Sequence, residues 1–278
     1  MTPTALFLVL LSAISHASWN LAVKGSRDKY AFTWWMMAAG FLLTLPAPVL
    51  LPVRFTFTSV SLLAASSLAE ALYLVTLSAS YRRLDYTVAY PVARGSAPVF
   101  IALFAFALLG ERISPLGLAG IFLVSLGILS LGGRESATRR GELALPLASG
   151  ACIAAFSVAD KAALRYFSPL ALGCLVFGGT ALLLWPYLVW VRRADLVDEF
   201  RLHRRRVLLV AIFSLGGYAL VLAAMSRAPV SYVGAARESS VIFAALLGWA
   251  ILRESFGLRR LFAAVVIFLG IACLVLAR

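Results

Sequence analysis

Ten stretches of about twenty residues, almost free of charge, follow one another along this chain. Each is long enough to cross ~30 Å of hydrocarbon. A segment that crosses lipid must satisfy its own backbone hydrogen bonds, so each reads as a helix. Charges and turn residues place the spans near 4–23, 31–53, 58–80, 87–109, 115–133, 143–164, 168–190, 207–226, 229–251 and 258–277. A chain that is 62% hydrophobic and 13% charged leaves no room for a soluble domain. The expected fold is an all-α polytopic membrane protein with ten transmembrane helices. The first span lacks a basic stretch before it and reads as a span, not a cleaved leader.

The net charge of +13 does not point to nucleic acid. The basic residues fall in short connections, and no nucleic-acid-binding pattern is present. Of the 25 Lys and Arg, 17 lie in odd-numbered connections and 6 in the even-numbered ones and the termini. Basic loops stay cytoplasmic, so the odd connections are expected in the cytoplasm and both termini outside. The longest polar stretch, VRRADLVDEFRLHRRR (191–206), reads as a solvated interfacial segment. Cys152, Cys174 and Cys273 sit in apolar runs without metal-ligand spacing and read as small core residues. No metal and no cofactor are expected.

Two residues resist the apolar pattern. Arg94 and Arg237 lie inside spans four and nine, and a guanidinium cannot shed its charge there. An arginine at a helix centre costs ~2.5–3.5 kcal/mol on insertion scales. The two are related: 237 − 94 = 143, and sliding the sequence by that offset lays residues 89–114 over 232–257. Ser96 then meets Ser239, Phe100 meets Phe243 and Glu111 meets Glu254. Over residues 87–131, 14 of 45 positions match, including scarce Arg, Glu and Gly. The chain is thus expected to hold two five-helix repeats, 1–133 and 142–278, joined by a linker at 134–141. Five is odd, so the second repeat enters the membrane inverted. Inverted repeats place a substrate site at their interface near the midplane, and both arginines should reach it.

The remaining polar residues gather on a few spans. Span one carries Ser12, Ser15, His16, Trp19 and Asn20 on one face. Span three carries Ser66, Glu70, Tyr73, Thr76 and Ser80; span six carries Ser149, Ser157 and Asp160; span eight carries Ser214, Gly217 and Tyr218. Spans two, five, seven and ten are nearly free of internal charge. Substrate contacts are expected from Arg94, Arg237 and Glu238, with Tyr90, Tyr232, Trp19, Asn20, Tyr73 and Tyr218 around them. Glu238 has no acidic twin and is a counter-charge for Arg94. The three charges form either a substrate site or a static bridge between the halves. Glu70, His16 and Asp160 are the proton-coupling candidates, because low dielectric favours the neutral form of a carboxyl. The alternative for Glu70 is a static hydrogen bond to His16 or Tyr73, and for Asp160 a pair with Lys161. Gly117, Gly120 and Gly127 allow close helix approach, either inside a monomer or at a homodimer seam. Pro91 and Pro98 should weaken span four beside its arginine, as Gly234 should weaken span nine.

HASWNLAVKG (16–25), YRRLDYTVAYPVARGSAPVF (81–100), GERISPLG (110–117), VADKAALR (158–165) and RAPVSYVGAARESSVIFAALLG (227–248) with RES (253–255) carry a likeness. In these stretches the sequence resembles the ten-span, EamA-like branch of the drug/metabolite transporter superfamily, over essentially the whole chain. The resemblance implies two inverted five-helix repeats and movement of a small organic metabolite. It also implies structural loop roles for Glu111 and Glu254. Glu70 departs from the branch, where a less acidic residue is expected.

The leading expectation is a secondary transporter in a cytoplasmic membrane, working by alternating access and most often in export. Its partners are a small-molecule substrate and the bilayer, with proton coupling through the candidates above. Paired guanidiniums favour carboxylate, phosphate or phosphonate, which suits amino acids and small organic anions. A flippase for a lipid-linked sugar is the alternative and requires a lateral opening. A membrane-embedded enzyme would need a catalytic cluster, which His16 and His203, far apart, do not supply.

Overall fold

The computed structural model describes residues 1–23, 26–132, 140–192, 196–252 and 257–277. Residues 134–139 of the expected linker and Glu254 fall outside these residues, as does the side chain of Asn20. Among the described residues the chain forms twelve α-helices and no strand. The first half holds α1 (Pro3–Val23), α2 (Lys29–Thr44), α3 (Ala47–Leu50), α4 (Phe57–Ser80), α5 (Tyr86–Leu109) and α6 (Pro115–Ser130). The second holds α7 (Ala144–Ala163), α8 (Pro169–Pro186), α9 (Leu196–Met225), α10 (Val230–Arg237), α11 (Ser240–Leu252) and α12 (Leu258–Leu276). Seven segments are long and apolar enough to cross a membrane, and α1 and α6 contain shorter apolar stretches.

Helix starts follow ordinary capping chemistry. Asp28 accepts the amide protons of Tyr30 (2.8 Å) and Ala31 (3.2 Å) at the start of α2. Thr56 and Ser59 form a reciprocal capping box on α4, satisfying donors the helix cannot. At the end of α5, Gly110 adopts φ 68°, the left-handed conformation that glycine reaches without a Cβ clash.

Four elements depart from the sequence expectation. The span at 31–53 breaks at Leu45–Pro46 into α2 and α3. From residue 196 onward the run 191–206 is helical, the start of α9, which kinks at His203; within it Glu199 is buried and its Oε2 accepts the Asp28 amide at 3.0 Å. Span nine is two helices with a break at Glu238–Ser239. Span four, despite Pro91 and Pro98, stays one continuous helix.

The five most extensive helix packings are α4 on α7, α6 on α12, α5 on α7, α1 on α9 and α2 on α9. Every one joins an element before residue 133 to one after residue 142, so the two halves interlock. Small residues make the closest contacts. A Cβ on Gly270 would sit 2.8 Å from the Gly120 carbonyl oxygen and 2.9 Å from the Val124 amide nitrogen. The glycines of α6 therefore serve packing inside this chain. Gly270→Ala is expected to lower the thermal midpoint, at a cost of roughly 1–3 kcal/mol. Gly216→Ala in α9 meets nothing within 4 Å and should hold or raise it. Thermal unfolding of the two purified variants in detergent checks the pair.

The connections gather at two ends of the bundle. At one, Arg54 donates its amide to the Tyr166 carbonyl (2.8 Å) and Ser168 to that of Pro52 (3.1 Å), beside a Val53–Phe167 bridge. The Glu111 carboxylate meets α10 at the same end. At the opposite end, besides Asp28 on Glu199, the Trp35 indole donates to the Leu196 carbonyl at 2.7 Å.

Candidate functional site

A cavity lies between the halves, with about 680 Å³ of empty space when its mouth is included. Eight helices reach it. Arg94 enters from α5 and Arg237 from the last position of α10. Both guanidiniums line the cavity between the halves.

The two guanidiniums differ in their partners. Arg94 is 3% exposed, and its Nη2 stands 3.0 Å from Glu238 Oε1. This ion pair crosses from one half to the other. Arg237 has no ion pair and no hydrogen bond among the described residues, and its Nε is buried without a partner. Glu238 Oε2 and the hydroxyls of Ser239 and Ser240 are likewise buried and unpartnered, at the break between α10 and α11. Helix breaks of this kind free polar groups only where protein or water can receive them.

Two carboxyls face the same region. Glu70 of α4 lines the cavity, and Thr180 of α8 donates a 3.1 Å hydrogen bond to its Oε2. That partner replaces His16 and Tyr73, the two anticipated from sequence. Asp160 of α7 stands behind the wall, 1% exposed. Ser66 donates to its Oδ1 at 2.6 Å, and Tyr218 to its Oδ2 at 2.5 Å. It does not pair with Lys161, whose ammonium instead caps the carbonyls of Met225 and Ala228. Glu70 feels the charge of Asp160, and both feel that of Arg237.

The rest of the wall is aromatic and apolar. His16 and Trp19 meet edge-on with centroids 4.9 Å apart, and Phe177 stacks on Tyr218 at 5.5 Å. Tyr73 lies against Phe156 at 6.2 Å. Met36, Met37 and Leu74 complete this surface, with Thr33, Ser12 and Ser214 as its neutral polar points.

Of the residues anticipated from sequence, the cavity thus gathers Arg94, Arg237, Trp19, Tyr73, Tyr218, Glu70 and His16. Glu238 is buried behind it on Arg94. Tyr90 is not in the lining, although it lies within electrostatic reach of Arg94. Tyr232 is not brought to the cavity. Its hydroxyl lies 3.3 Å from the Ser114 amide and hydroxyl, close against Gly117, at the end of α10 away from Arg237. Thr33, Met36 and Met37 of α2 and Phe177 of α8 line the cavity from two spans that are nearly free of internal charge. Apolar side chains inside apolar spans carry no contrast that marks a cavity wall.

Comparison with known proteins gives three findings. The model of the EamA-like transporter family matches twice, over residues 3–132 and 140–276. A protein of known crystal structure shares the fold with a TM-score of 0.77 at 18% identity, over 99% of this chain and 98% of that one. No curated protein matches the sequence.

Proposed function

This chain belongs to the EamA-like transporter family, and from that premise we propose that it is a secondary transporter, working in export, whose substrate is a small zwitterionic or anionic metabolite such as an amino acid. The observation that carries this reading is Arg237, an unpaired guanidinium in a cavity midway along the bundle. Guanidinium binds carboxylate through parallel, charge-assisted hydrogen bonds. Glu70, in electrostatic reach of Arg237, supplies the opposite charge for an ammonium group. The aromatic and methionine wall receives an apolar body. A purely cationic solute would meet repulsion from both arginines.

The transport cycle is alternating access between two inverted repeats in a cytoplasmic membrane. Ten crossings result when α1, α6 and α7 are added to the seven segments that are long and apolar enough on their own. The 17 basic residues of the odd connections favour a cytoplasmic position for them, with both termini outside. Trp19 and Thr33 lie close to the connection at 24–28, so the cavity approaches that end. The opposite end is tied by Arg54–Tyr166, Ser168–Pro52 and Glu111–Val230. Transport as the family's activity also fits a chain without an enzymatic role.

Thermal-shift measurements on purified protein test the substrate class. Zwitterionic amino acids with apolar side chains are expected to raise the midpoint, by about 2.7 kcal/mol of stabilisation at a hundred times Kd. Counterflow in proteoliposomes should follow the same order of compounds. Stabilisation by cationic solutes alone, or by sugar conjugates alone, would refute the assignment.

A further inference from the structure

At the end of the bundle away from Trp19 and Thr33, the carboxylate of Glu111 is one of the ties between the halves. Gly110 turns the chain at the end of α5 so that Glu111 reaches across to the other half. Its Oε1 accepts the Val230 amide proton at 2.7 Å. Its Oε2 accepts from the Ser231 amide at 3.2 Å and the Ser231 hydroxyl at 2.8 Å. Pro229 at the N-cap supplies no side-chain bond of its own, so Glu111 takes the capping role from outside the helix. The helix dipole adds to the attraction. Lys161 grips the carbonyls of Met225 and Ala228 on the other side of the same corner. The α9–α10 corner is thus held by Lys161 from its own half and by Glu111 from the other.

What this grip controls follows from the length of α10. It has eight residues, about 12 Å at ~1.5 Å per residue. Glu111 holds its first turn and Arg237 is its last residue. Between them, Val233, Ala235 and Ala236 are fully buried. A Cβ on Gly234 would lie 2.6 Å from Ile101 of α5. This tight α10–α5 contact separates the cavity from that end. Parting α10 from α5 would open a path for water there, and that motion breaks the three bonds to Glu111.

We propose that Glu111 is a positioning residue that latches this end closed. The idea rests on the alternating-access reading above.

The test uses a buried reporter. Cys152, Cys174 and Cys273 are replaced by alanine and Val233→Cys is introduced. Its reaction with a hydrophilic maleimide is timed on the full-length protein in detergent. Glu111→Gln is expected to speed labelling about tenfold, the loss of charge-assisted bonds in the latched state alone. Ser231→Ala removes one of the three bonds and should give a smaller acceleration, which keeps the test intact if Glu111→Gln does not fold. Unchanged labelling in a folded Glu111→Gln or Ser231→Ala variant overturns the proposal. So does equal acceleration by Glu111→Gln at a second buried reporter at the opposite end, Ala31→Cys, the mark of general loosening. Acceleration at Val233→Cys alone, in a protein that none of the offered solutes stabilises, would uphold the latch and count against the transport assignment.

Discussion

Arg237→Ala is expected to weaken binding of a carboxylate substrate about 10- to 100-fold, the value of a charge-assisted, two-point hydrogen bond. Its thermal midpoint should stay close to that of the parent. Arg237 makes no ion pair or hydrogen bond among the described residues, so its removal breaks no direct contact. Arg94→Ala should behave in the opposite way. It strips the counter-charge from Glu238, which is 2% exposed. Breaking a buried pair from one side costs roughly 3–5 kcal/mol, enough to lower the yield of folded protein. Adding Glu238→Gln to Arg94→Ala should restore part of that loss. Isothermal titration for affinity and thermal unfolding for stability separate the two arginines. The division of labour fails if Arg237→Ala binds normally and Arg94→Ala unfolds no earlier. It favours a mixed answer to the choice between substrate site and bridge: Arg94 and Glu238 tie the halves, and Arg237 is the arm left over.

The second large effect concerns Glu70. Both oxygens of Asp160 are engaged, by Ser66 and Tyr218, behind the wall. Glu70 lies on the cavity surface with only Thr180 donating to it among the described residues. A proton that couples to substrate must reach the cavity, so Glu70 is the better carrier. Glu70→Gln is expected to abolish accumulation driven by an imposed pH gradient. Substrate exchange at equal, saturating concentrations should continue, with a higher KM for the lost ammonium contact, because the hydrogen bond with Thr180 can be kept. Asp160→Asn should instead destabilise the fold, since it disturbs two buried hydroxyl donors at once. Proteoliposomes with and without a gradient measure both. Undiminished accumulation by Glu70→Gln would remove Glu70 from the coupling path.

The parts of this site that can be read in the sequence are those with chemical contrast. An arginine in an apolar run stands out, and its repeat partner 143 residues later stands out with it. Glu238 was legible as a counter-charge because its twin is Gly95. Met36, Met37 and Phe177 were not, because lipid-facing and cavity-facing side chains use the same vocabulary. Tyr232 misled for a geometric reason: five residues along a helix is about 7.5 Å, the difference between cavity and closed end. The break at Glu238–Ser239 has no proline or glycine to announce it. Glu199 looked like one more solvated charge in a polar run. Its burial depends on the Asp28 amide, a partner 171 residues away.

The interlocking of the halves also bears on how the chain is made. The guanidinium of Arg94 meets its carboxylate 144 residues later, since 238 − 94 = 144. At roughly 5–20 residues per second, synthesis leaves that charge without its mate for about 7–30 seconds. Throughout that interval the nascent first half holds a cation it cannot yet neutralise. The insertion machinery therefore has to keep it hydrated until the ribosome delivers the rest.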